Sequence, residues 1–131
     1  MYKYICIFIY MFIKKKLNNN IYYFKLYDIT QTEYDHFIYN FESLFNKQKN
    51  FKIIFDLSNL TILDFLFSKQ FLLFMKNNAI KTKIYIDKTS IIIPNEFIRK
   101  NINFCIFNFY KPIKPNEITD TFENAINFLN N

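Results

Sequence analysis

Three aspartates are the residues of this chain best placed to do chemistry. Asp56 closes the apolar run Phe51-Lys52-Ile53-Ile54-Phe55, Asp87 closes Thr82-Lys83-Ile84-Tyr85-Ile86, and Asp64 follows Asp56 by eight residues. Ligands of open α/β sheets gather outside the carboxyl ends of the strands. Three carboxylates brought together there would offer oxygen donors to a hard cation such as Mg²⁺. The same residues also have a plainer local role. Aspartate commonly bonds loop amides and caps the helix that follows, and that role is the one expected of Asp56 and Asp64.

Other chemistry finds less to stand on. His36, the single histidine, falls on the polar side of a helical pattern between Asp35 and Phe37. A Ser-His-Asp or Cys-His arrangement would require it to meet a nucleophile from another element, and no spacing brings one. Cys6 and Cys105 lie inside apolar runs without ligands at metal-binding spacing, so they read as buried thiols in a reducing, cytoplasmic compartment. The sequence contains no Gly, which removes the glycine-rich loops that cradle phosphates. No cofactor or metal is expected, and the chain reads as a non-enzyme.

The elements that would position these residues follow from hydrophobic pattern. Residues 4–13 (YICIFIYMFI) are an unbroken apolar run, shorter than the ~20 residues a membrane-spanning helix needs. Lysines follow it in place of a small-residue cleavage site, so a strand is expected there and not a targeting segment. Lys14-Lys15-Lys16 with Leu17-Asn18-Asn19-Asn20 reads as a solvated turn into a second strand over 21–27, an N-terminal hairpin. Thr30 and Glu33 have capping-box spacing. Tyr34, Phe37, Ile38, Phe41, Leu44 and Phe45 then repeat at helical intervals over residues 32–47. A buried strand over 51–56 leads to a helix over 64–76 that is apolar nearly all round. Further strands are expected over 82–86 and 104–109, a short helix from Pro94, and a terminal helix carrying Ile118, Phe122, Ala125, Ile126 and Leu129.

The resulting order, β-β-α-β-α-β-α-β-α, predicts an α/β fold. An N-terminal β-hairpin is followed by βαβα units, giving a mixed, mostly parallel sheet flanked by helices in one small domain over residues 1–131. Phe, Tyr, Ile, Asn and Lys supply 84 of the 131 residues. All five can be encoded by A and T alone, which points to an AT-rich genome and weakens the net charge of +6 as a sign of an acidic partner. Nucleic acid is not expected, because phosphate readers favour clustered Arg and Arg99 is the only one here.

From Asp56 the chain reads Asp56-Leu57-Ser58-Asn59-Leu60-Thr61-Ile62-Leu63-Asp64. It resembles the STAS domain of anti-sigma-factor antagonists and sulfate transporters, in which a buried strand ends in Asp-Leu-Ser and a second Asp eight residues later opens a helix with Ser-Ser-Gly. The resemblance implies a STAS-like fold and a docking face at Asp56, Ser58, Asn59, Asp64, Phe65 and Leu66. Phe65-Leu66-Phe67 stand where the family has its phosphorylated serine, so the phosphorylation switch is not expected to carry over. A second resemblance, to the receiver domain of two-component signalling, rests on Asp56 and Lys111-Pro112 but lacks the acidic pair that would hold Mg²⁺. The expected function is a regulatory module binding a protein partner through residues 58–63 and the helix after them. The alternatives are a receiver-like phosphoacceptor or Mg²⁺-binding domain using Asp56, or a binder of small apolar ligands or lipid. Membrane association is not the expected mode.

Overall fold

The computed structural model describes residues 12–17, 20–26, 31–58, 65–105 and 114–131. Among these residues five strands, β1 (Phe12–Lys16), β2 (Ile21–Leu26), β3 (Phe51–Asp56), β4 (Ile86–Ile92) and β5 (Asn116–Thr119), form one sheet in sequential order. β1 pairs antiparallel with β2, and every later neighbour is parallel. Among the described residues the helices are α1 (Gln31–Asn46), α2 (Phe65–Asn77), α3 (Ala79–Tyr85), α4 (Glu96–Cys105) and α5 (Phe122–Asn130). The α/β class, the hairpin and the mostly parallel sheet flanked by helices are therefore as expected.

Sequential order has a direct packing consequence. When each parallel strand lies beside the one before it, crossovers of one hand carry every connecting helix over the same face. That face holds the larger core. Phe24 and Phe55 from the strands meet Phe37, Phe41, Leu44 and Phe45 of α1, Met75 of α2, and Ile98 and Ile102 of α4. Phe41 is fully buried and its ring stacks on Phe55 at 5.5 Å. The opposite face is smaller and aliphatic, with Ile21, Ile54 and Ile92 covered by Ala125 and Leu129 of α5.

Several boundaries differ from the sequence expectation. Lys14, Lys15 and Lys16 are not a turn but the end of β1, paired with Phe24, Tyr23 and Tyr22. Among the described residues β1 is the outer strand, where lysines are tolerated because they discourage pairing with a further strand. The expected strand over 82–86 is mostly helix, as α3 runs to Tyr85, and the fourth strand begins at Ile86. Its buried end is Ile91-Ile92, continued by Ile93 just past the strand, with Ile91 and Ile93 on the aromatic face and Ile92 on the other. Phe104 and Cys105 end α4, and β5 lies after Pro115, taking Ile118 out of the terminal helix. Residues 4–11, Thr30 and most of 104–109 lie outside the described residues.

A chain without glycine must also end its helices differently. After α1 the left-handed position is taken by Gln48, φ 54°, where glycine is usual. Lys47 and Gln48 donate their N–H groups to the Leu44 and Phe45 carbonyls at 3.3 and 3.2 Å, tightening the last turn.

Two predictions follow the core. Phe41→Ala empties a fully enclosed ring site and should lower unfolding free energy by roughly 3–5 kcal/mol, whereas Ser90→Ala should raise it by about 1 kcal/mol. Ser90 is fully buried and its Oγ has no hydrogen-bond partner among the described residues, so its hydroxyl is desolvated without return. Urea titration of both variants measures the contrast, and a destabilised Ser90→Ala would mean that the hydroxyl has a partner. The second concerns Tyr34, whose phenol is pushed from its ordinary 10.0 up to about 12, first by burial and then by the Asp35 carboxylate. The fold favours the neutral phenol, so this contribution is whole below pH 10 and is lost as pH rises through about 12. Tyr34→Phe should flatten that alkaline loss in pH-dependent denaturation.

Candidate functional site

β3 alternates Phe51, Ile53 and Phe55 toward the aromatic core with Lys52, Ile54 and Asp56 toward α5. The last position therefore carries a carboxylate to the carboxyl edge of the sheet on its aliphatic side. Asp56 is only 5 % exposed, and a carboxylate so enclosed needs partners. Ser58 donates its backbone N–H to Oδ1 at 2.9 Å, and the Tyr23 hydroxyl donates to Oδ2. Tyr23 reaches it because β2 and β3 are parallel, with Tyr23 beside Ile54 and Lys25 beside Asp56. The Tyr23 ring is held from the other side by Phe122, edge to face at 5.6 Å.

The neighbouring strand ends are fastened in the same way. Leu57 N–H donates to the Ile92 carbonyl at 3.0 Å, and Ile93 N–H to that of Thr119 at 2.8 Å. Arg99 folds back from α4, its Nη1 donating to the carbonyls of Ile93 and Pro94 at 2.9 and 3.1 Å. After β5, Thr121 caps α5 by accepting from Asn124 N–H at 3.1 Å. The Asp120 carboxyl is held below its usual range, first by the Asn124 side-chain amide, 2.8 Å away.

The alternative of converging aspartates is not met, because Asp56 and Asp87 do not come together. Asp87 is the second residue of β4, at the opposite end of the sheet from Asp56. Phe51 pairs with Ile86 and Lys52 with Lys88, so Asp87 is the extra residue at a register shift. It accepts from Asn50 Nδ2 at 3.0 Å. The physical cause is the one that displaced the strand: the two-sided apolar run is Ile91–Ile93, so Asp87 opens the strand instead of closing it. No group of three metal-binding side chains occurs among the described residues.

The remaining expected positions divide. Ser58 sits half-buried beside Asp56. Phe65 and Leu66 are the first two residues of α2, with side chains outside the described set, and Asn59 and Asp64 lie outside the described residues. His36 is exposed on α1, as its pattern required. Tyr23 and Arg99, which tie this edge together, were not foreseen as site residues. Tyr23 shares its strand face with Asp56 only once the β2–β3 register is known.

The Asp56 pair can be measured directly. Tyr23→Phe and Asp56→Asn should each destabilise the protein by about 1–3 kcal/mol, since each leaves a buried polar partner short of a bond. The double variant should cost less than the sum, because the two changes remove one shared interaction. Additive losses in a chemical-denaturation cycle would show that the two side chains act separately. No family model, curated protein or solved structure matches the chain.

Proposed function

We propose that the chain is a non-enzymatic regulatory module of STAS-like type that binds a protein partner through the segment leaving β3 and the start of α2. The observation that carries this proposal is the commitment of Asp56. Both its oxygens accept bonds from within the fold, one from Tyr23 and one from the Ser58 amide. A carboxylate so engaged fixes the path of the chain as it leaves the sheet. It is poorly prepared to receive a phosphoryl group, which needs a free oxygen and a metal beside it.

Strand order supports the same side. Doubly wound sheets bind ligands where the order reverses, and the order here runs from β1 to β5 without reversal. Asp87 at the far end removes one of the three carboxylates on which an Mg²⁺ site at Asp56 would draw.

Intact-mass measurement after incubation with acetyl phosphate and Mg²⁺ should show no added phosphoryl group. An increase that vanishes in Asp56→Asn would establish a phosphoacceptor instead. Recovery of a co-purifying protein should fall about tenfold or more in Phe65→Ala with Leu66→Ala, as apolar anchors dominate docking affinity. Unchanged recovery from a folded double variant would move the docking face elsewhere.

A further inference from the structure

Between Phe65 and Ile86 the chain has four lysines, Lys69, Lys76, Lys81 and Lys83, and no acidic residue. This stretch forms α2 and α3. On α2, Phe71, Phe74 and Met75 face the core, which turns Leu73 outward with Lys69 four residues before it and Lys76 three after. Leu73 is 56 % exposed, and both lysines are exposed. On α3 the inward residue is Thr82, buried, and the outward pair is Ile80 and Ile84, one turn apart and 77 % and 52 % exposed. Lys81 and Lys83 flank that pair on either side, both exposed.

We propose that the outer face of α2 and α3 docks on an anionic phospholipid bilayer, with the protein lying on the surface. Aliphatic side chains would enter the headgroup boundary while the lysine stems extend beside them and hold their ammonium groups at the phosphates. Charge complementarity selects this occupant. A second copy of the chain meeting face to face would set lysines against lysines. Protein interfaces are rich in Arg and aromatic anchors and poor in Lys, and among the described side chains the exposed large apolar residues of this face are Leu73, Ile80 and Ile84, with Lys69, Lys76, Lys81 and Lys83 beside them. Among the described residues no helix is long and apolar enough to cross a membrane. Bilayer docking uses Leu73, Ile80 and Ile84 with the lysines beside them, whereas protein docking is placed at the segment leaving β3 and at Phe65 and Leu66 at the start of α2.

The test is co-sedimentation of the full chain with phosphatidylcholine vesicles, alone or mixed with phosphatidylserine at roughly 7:3, in about 0.1 M salt. Binding should require phosphatidylserine. Removing lysine charge should weaken it about fivefold per residue, so Lys81→Gln with Lys83→Gln should lose roughly 25-fold, and Ile80→Asn with Ile84→Asn should also release the protein. All four positions are exposed, and circular dichroism checks that each variant is folded. The chain has no Trp, so Ile84→Trp gives a single reporter whose emission should move to shorter wavelength on phosphatidylserine vesicles only. Absence of vesicle binding, binding unmoved by either pair in folded variants, or an unshifted reporter would each overturn the proposal. So would an acidic protein held by this face when vesicles are not.

Discussion

β3 has to be covered on both sides, and the fold is built around that requirement. Its Phe51, Ile53 and Phe55 belong to one core and its Ile54 to another. The crossover helices of a sequentially ordered parallel sheet all fall on one face, so they can supply the aromatic core and nothing on the other side. The second face depends on α5. That helix runs back against the strands, and its last carbonyls meet two lysines rising from the sheet. Lys52 Nζ donates to the Leu129 carbonyl at 2.6 Å and Lys88 Nζ to that of Phe128 at 3.1 Å. Cations are favoured at a helix C-terminus, and α5 has no basic residue in its own last turn. The sheet provides what the helix lacks.

Pattern was enough to read the order of elements but not all of their edges. α1 was clear because polar residues interrupt its apolar stripe at helical intervals, leaving Phe37, Phe41 and Leu44 on one side. β4 and β5 slid because Ile and Phe are spread through the whole sequence, so β-propensity separates strand from helix poorly here. Ile84-Tyr85-Ile86 looks as strand-like as Ile91-Ile92-Ile93, yet only the second is buried on both faces. The difference lies in what packs against each run, which is a tertiary fact.

The candidate site was legible in one residue and illegible in its partners. Asp56 was identifiable because a buried run must end where a charged residue can be accommodated. Its bond to Ser58 is local, two residues apart, and follows from the habits of aspartate in turns. Tyr23 is 33 residues away, and only the pairing of β2 with β3 makes them neighbours. Asp87 failed for the complementary reason, since the strand begins at Ile86 and not at residue 82, which exchanged one end of the sheet for the other.

The late position of α5 in the chain sets an order of events during synthesis. β2, β3 and β4 can pair and begin to bury their aromatic face once the chain has been made through β4, but Ile21, Ile54 and Ile92 wait for a helix that follows all five described strands. Until then the growing polypeptide carries a finished sheet with one dry face and one apolar face open to water, the kind of surface that recruits holding factors or other nascent chains. Closure of that window falls to nine residues and two lysine contacts.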